Sequence, residues 1–331
     1  MSRKSVLRVA LLLTVAVVAL GSGPLIEAYV DLLWFTEVGH PRVWWTILGA
    51  QLLLGTIFGA ATGVIVYGNA SIARRISPPL TPPLIEVPAA VQMLRLAQRT
   101  IRWLIFAGCL FVALLVAGWA ASHWETILLH QNAQPFGVRD PIFGKDIGFY
   151  VFSLPFWQFL YQWALTTLVL SLAVATIVYF LERQLEIGAN YTRVAAGVRA
   201  HLSALLGVMA LVVAGGLLLR RYDLLFRDNG ILHGAGYTDV HVRIPMLTLL
   251  AVIAVLTAAA FFYNIYRRDL RLPLIAGAFY LVASFVLGTI YPALQQRFVV
   301  QPNELAMERP YLRHHLEATR RAFGLDRVRS G

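Results

Sequence analysis

The sequence predicts an all-α, polytopic integral membrane protein with seven transmembrane helices, its N-terminus inside and its C-terminus outside. Seven stretches of 18 or more residues lack Asp, Glu, Lys, Arg and His: Val9–Ile26, Val43–Ala73, Trp103–Ser122, Ile147–Leu181, Leu202–Leu219, Ile244–Tyr266 and Leu272–Gln296. About 20 helical residues, each rising about 1.5 Å, cross the hydrocarbon core. The chain is 58% hydrophobic and 14% charged, with mean hydropathy +0.67, whereas soluble domains carry roughly 25% charged residues. Orientation follows from the loops. The N-terminus and predicted inner loops carry fourteen Lys and Arg (3, 4, 8, 74, 75, 95, 99, 102, 183, 193, 199, 267, 268 and 271), and the three outer loops carry seven (42, 139, 145, 220, 221, 227 and 243). Basic residues are retained on the inner side.

Each segment has its own signature. The first span, 9–28, follows Arg3, Lys4 and Arg8, a basic start shared with signal peptides. Its apolar run continues through Gly21-Ser22-Gly23-Pro24 to Ile26, which favours an uncleaved span. The second span, 44–67, ends near a connector, Ser77–Pro88, whose five prolines exclude a helix. Ala89–Arg102 reads as an amphipathic helix on the inner membrane surface. Gln92, Arg95, Arg99 and Arg102 share one face, and Met93, Leu94, Ala97 and Ile101 the other. The third span, 103–122, holds Cys109, the one cysteine, expected to be a small packing residue. Spans 155–181, 202–219, 245–266 and 272–291 follow, the fourth with Pro155 in its first turn, where the missing N–H costs nothing.

Seven of the eight tryptophans (34, 44, 45, 119, 124, 157 and 163) fall at predicted outer ends, against Trp103 alone inside. An interfacial belt with some core packing is the plain reading; a rim burying aromatics against another protein part is the sharper one. The net charge of +11 does not indicate nucleic acid, because the basic residues are spread over every loop rather than gathered in a stripe.

Two outer loops carry the polar motifs. Asp140-Pro141 opens a turn, and Gly144 and Gly148 permit unusual backbone angles; the adjacent Lys145 and Asp146 read as a solvated pair. In the other loop, Gly234-x-Gly236 lacks the third glycine of a dinucleotide fingerprint. His233, Asp239 and His241 are candidate metal ligands without zinc-type spacing, and a hydrogen-bonded loop is the expectation. No Gly-x-Ser-x-Gly, His-Glu-x-x-His or Walker loop occurs, so no enzyme, cofactor or catalytic residue is expected. The polar residues within spans are hydroxyls such as Thr166, Thr167, Ser171, Thr257 and Ser284. Coupled carriers place ionisable groups at membrane depth, so the pattern counts against one.

In the tail, Pro310 suits the first turn of an amphipathic helix reaching Phe323, with Gly324 as its stop. Four blocks then carry a resemblance: Tyr29–Gly39; Asp140–Phe156, with Asp140, Pro141, Gly144, Lys145 and Asp146; Gly234–Pro245, with Gly236, Tyr237, Thr238 and Asp239; and Gln295–Leu325, with Arg297, Pro302, Asn303 and Glu304. On these blocks the chain resembles the N-terminal membrane part of uncharacterised protein family 0182, large bacterial membrane proteins. The resemblance implies a multi-pass protein of the bacterial plasma membrane, seven helices (1–296) followed by a large extracytoplasmic domain. The chain reads as truncated where that domain begins, with 297–331 as its start. The resemblance carries no activity and assigns no role to the motif residues. The leading expectation is an anchor or scaffold, its partners the lipid bilayer and an extracytoplasmic domain or envelope protein. The alternative is a passive transporter or lipid-handling protein using a hydroxyl-lined groove.

Overall fold

The computed structural model describes residues 23, 25–76, 88–182, 185–187, 192–228, 234–269 and 271–325, with backbone only for 88–98, 185–187 and 192–193. The chain is an all-α polytopic membrane protein. Among the described residues six helices are long and apolar enough to cross a membrane. They cover the second to seventh predicted spans; the first span, 9–28, lies mostly outside the described residues, as do the connector 77–87 and His233. In chain order the helices are α1 (25–37), α2 (Pro41–Ile76), α3 (Pro88–Ala121), α4 (Trp124–Gln131), α5 (Leu154–Leu181), α6 (Ala196–Asp223), α7 (Ile244–Arg267), α8 (Arg271–Phe285), α9 (Tyr291–Gln295) and α10 (Glu304–Ala322). A two-stranded antiparallel ribbon, β1 (Leu185–Ile187) and β2 (Thr192–Val194), joins α5 to α6 and pairs Glu186 with Arg193.

The long helices pack as a row, α3–α2–α5–α6–α7–α8. Most of their apolar surface stays exposed, as lipid is the solvent there and hydrophobic burial does not drive helix association. Close packing of small residues does. Gly55, Gly59 and Gly63 repeat every fourth residue on α2, facing Ala113, Ala117 and Ala121 at the same spacing on α3. A Cβ at Gly59 would lie 2.6 Å from the Cβ of Ala117, and one at Gly55 3.1 Å from the Ala117 carbonyl. Cys109 packs into a buried cluster with Val66 and Ala70 of α2, Val178 and Tyr179 of α5, and Val198 of α6.

The span hydroxyls and amides hold helices together. Thr62 Oγ1 lies 3.1 Å from Thr167 Oγ1 and accepts the Trp163 indole N–H at 3.0 Å. His201 bridges Tyr179 Oη (2.7 Å) and Asn69 Oδ1 (3.1 Å), tying α6 to α5 and α2. Asn264 donates to Ser203 Oγ at 2.8 Å. Trp163 thus belongs to the bundle interior rather than to the aromatic rim.

Four prolines explain most of the irregularity. Pro155, Pro245, Pro292 and Pro302 each stand two residues after a five-residue π-turn: Phe149–Ser153, Asp239–Arg243, Val286–Ile290 and Gln296–Val300. Proline lacks an N–H and its ring clashes with the carbonyl four residues back. In every case the residue before the proline donates instead to the carbonyl five back (Leu154 to Phe149, Ile244 to Asp239, Tyr291 to Val286, Gln301 to Gln296), and the wider turn makes room for the ring. The helices therefore run through the first three of these prolines, whereas after Pro302 the chain turns at Asn303 into α10, and three expectations change. Pro155 does not open the fourth span, since helix precedes it from Ile147. The seventh span does not stop near Tyr291; helical turns run on from Arg271 through Pro292 to the turn at Pro302–Asn303 that precedes α10. The tail helix begins at Glu304 and carries Pro310 in its interior. Ala89–Arg102 leads straight into the third span as one 34-residue helix, because no glycine or proline breaks the backbone before Trp103.

Candidate functional site

The polar motifs gather at one end of the bundle, here called the tail face, formed by loop 132–148, the loop between α6 and α7, and α10. The first loop is built around two carboxylates. Asp146 Oδ1 accepts the N–H groups of Phe136 (3.0 Å) and Gly148 (2.7 Å), and Oδ2 that of Gly137 (2.9 Å). These bonds, Phe136 first and then Gly148, hold its carboxyl below the usual range. Asp140 Oδ1 accepts from Ile142 (2.8 Å) and Phe143 (2.7 Å), and Oδ2 from the Lys145 N–H (2.9 Å) and the Tyr150 hydroxyl (2.6 Å). Asp140-Pro141 does start a turn, closed by the Gly144 N–H on the Asp140 carbonyl at 3.1 Å. Gly144 has φ +65°, the left-handed conformation expected of it. Gly148 does not; its φ is −57°, and glycine is required because a Cβ would sit 2.6 Å from the Gln134 carbonyl. Lys145 Nζ lies 5.7 Å from the Phe149 ring centre. Phe143 and Phe149 close on Tyr222 at the end of α6, with ring centres 4.8 and 5.1 Å apart.

Asp146→Ala is expected to release this loop without unfolding the bundle, since the carboxylate's three bonds all lie within residues 136–148. Limited proteolysis should then cut inside 132–148 in the variant and not in the parent. Because the folded pKa is depressed, the stabilisation is present above the ordinary carboxylate range and is lost as pH falls through the lowered value.

The second loop centres on Asp239, which is 2% exposed. Its Oδ1 accepts Nη1 of Arg227 at 3.2 Å and of Arg243 at 3.1 Å, and its Oδ2 accepts the Gly236 N–H at 3.1 Å. The tail docks on this loop. Glu308 of α10, 8% exposed, accepts the Tyr237 N–H on both oxygens, at 3.2 and 3.0 Å. Gly236 lets it approach, because a Cβ there would lie 2.9 Å from the carboxylate oxygens. Thr238 donates to Gln296. Tyr311 Oη lies 3.1 Å from His241 Nδ1, and the His241 ring stacks on Tyr237 at 4.3 Å.

Gly236, Tyr237, Thr238 and Asp239 are therefore brought together with three tail residues that sequence reading did not single out: Gln296, Glu308 and Tyr311. The other tail positions are elsewhere. Arg297 is exposed over Phe298, Pro302 and Asn303 form the turn before α10, and Glu304 begins that helix, where its charge favours the dipole. Of the metal candidates, Asp239 is engaged by two guanidiniums and His241 by Tyr311. Among the described residues no group of three His, Cys, Asp or Glu is placed to hold a metal ion.

Burial raises the Glu308 carboxyl above its ordinary value, ahead of the opposing Tyr237 N–H and the repulsion of Asp239 and Glu304. An acid raised on folding binds more protons when docked, so its contribution is full below the unfolded pKa and declines as pH rises through the folded one. Glu308→Gln is expected to flatten that pH dependence and keep α10 docked at neutral pH. Hydrogen exchange of α10 amides at pH 4 and pH 8 checks it.

The helical row and its buried polar ties define a polytopic membrane protein with a structured polar face. The uncharacterised protein family UPF0182 matches residues 8–331, and the chain belongs to that family. It is 39% identical over 310 residues to a UPF0182 protein of Bradyrhizobium diazoefficiens, covering 90% of this chain and 33% of the relative. It is 36% identical over 300 residues to one of Frankia casuarinae (91% and 30%) and 35% identical over 320 to one of Geobacter sp. strain M21 (96% and 36%). The chain spans about a third of the length of these curated relatives. No solved structure matches it.

Proposed function

We propose that this part of the family is a membrane anchor whose tail face serves as a rigid platform for an extracytoplasmic module, in the bacterial plasma membrane, with the tail face outside. The observation that carries it is the docking of α10 on Gly236–His241 through Glu308 and Tyr311. A helix bound this way is a fixed mounting point. It leaves Leu305, Leu316 and Phe323 exposed, at 77%, 59% and 76%. The greater length of the relatives supports a further module, and the bacterial sources of the relatives support the compartment. The reading assigns no reaction to this part of the chain. Its test is co-purification with the part of the Bradyrhizobium relative outside the matched third, expressed as a separate secreted fragment. Retention lost in Leu316→Asp is the expected result; no retention by the parent chain defeats the proposal.

A second reading, lipid handling, draws on the apolar groove of about 710 Å3 between α2 and α3, which borders Tyr67, Phe106 and Leu110. Thr62 and Thr167 are bonded to each other, so a hydroxyl-lined path draws no support from them. Lipid scrambling by the reconstituted protein at the rate of empty vesicles removes this reading.

A further inference from the structure

Between the end of α6, the start of α7 and the π-turn after α8 lies a cavity of about 470 Å3. Its lining has two parts. Arg220, Arg227 and Arg243 supply guanidiniums, and Met246, Leu247 and Leu287 supply hydrocarbon. Leu247 and Leu287 also pack on the apolar cluster of α6, α7 and α8, so the hydrocarbon wall continues into the bundle. The charged part sits where α6 ends and α7 begins, at the boundary of the apolar spans.

The charges do not cancel. Asp223, the one carboxylate in the lining, accepts from Gln158 at 2.5 Å. Arg227 and Arg243 share Asp239, each through one Nη1; a guanidinium carries five N–H donors, so neither is exhausted. Arg220 is exposed and donates no hydrogen bond among the described residues; its charge is felt by Asp223, three residues on, and by Tyr280. The need for a cation at the carboxyl end of α6 is met by its neighbour, since Arg221 bonds the Leu218 carbonyl and Thr248 Oγ1, both at 3.2 Å. Three guanidiniums against two carboxylates leave one positive charge over the cavity. Planar guanidinium forks match phosphate oxygens, and the wall of Met246, Leu247 and Leu287 suits the carbons next to a phosphodiester.

We propose that this cavity binds a phosphate group through Arg220, Arg227 and Arg243. The lining fits a phospholipid headgroup from the leaflet on the tail face, and the site is independent of the platform reading. The test uses the purified chain in detergent with three probes: dioleoyl phosphatidylglycerol, dioleoyl phosphatidylcholine and inorganic phosphate. Arg220→Gln is the informative variant, because it removes no hydrogen bond from the fold and only a charge interaction with Asp223 and Tyr280, and Arg309→Gln on α10 controls for net charge. Saturable binding of phosphatidylglycerol, weakened about tenfold in Arg220→Gln and unchanged in Arg309→Gln, is expected for a headgroup site. Binding of inorganic phosphate with the same dependence on Arg220 supports the site with a free-phosphate source. No binding of any probe, equal binding by Arg220→Gln and the parent, or equal loss in Arg309→Gln overturns it.

Discussion

Gly59→Leu is expected to separate α2 from α3 and to cost about 3 kcal/mol or more, the upper range for overpacking. The Cβ alone would meet Ala117 at 2.6 Å, and the opposing surface is helix backbone, with the Ala113 carbonyl at 3.1 Å. Neither can move aside as a flexible side chain would. With no hydrophobic force between helices in lipid, close approach is most of what holds this pair. The same substitution at Gly49, ten residues earlier on α2, meets nothing within 4 Å and should be neutral. Thermal aggregation of the detergent-solubilised variants, read by size-exclusion chromatography, separates the two. Equal midpoints for both would mean that the glycine stripe does not pack the helices.

Asp239→Ala should cost about 3 kcal/mol at the tail face, near the lower end for breaking a buried ion pair, because Arg227 and Arg243 keep partial access to water. Removing the carboxylate strands two guanidiniums beside each other and frees the Gly236 N–H. Asp239→Asn keeps an acceptor for Gly236 and should lose less. The damage should spread to α10, because Gly236 and Tyr237 form the seat of Glu308. Hydrogen exchange resolved by segment is the check, with faster exchange expected in 304–322 and none in α2 or α3. Uniform acceleration across the bundle would show that Asp239 supports the whole fold rather than the tail face.

The spans were legible because charge is costly in hydrocarbon: the uncharged stretches mark the helices from α2 to α8. The Gly55-Gly59-Gly63 repeat was equally present in the sequence, but its partner stripe on α3 is known only once the two helices are paired. Helix ends are not legible where proline resembles punctuation. A π-turn lets a helix run past Pro155, Pro245 and Pro292, and nothing in the residue before each proline announces it. Pro310 suggests the start of the tail helix for the same reason, although Pro302-Asn303-Glu304 marks the true start. Of the tail-face site, the loop half was visible as Gly236–Asp239. The other half was not, because Glu308 lies 71 residues from Tyr237 and reads alone as one more solvated acid on an amphipathic helix.

Whether α10 is seated on the Gly236–His241 loop decides the platform reading, and a cysteine pair measures it directly. His241→Cys and Tyr311→Cys in a Cys109→Ala background place two thiols where the rings now lie 6.4 Å apart, and Glu308 still holds the helix. A short bismaleimide applied to native membranes, followed by cleavage at a protease site inserted between α7 and α8, should leave the two fragments joined. The control pair His241→Cys with Phe323→Cys, three turns further along α10, should not join. Fragments that separate in both cases, with both thiols shown to be reactive, would contradict the docked tail.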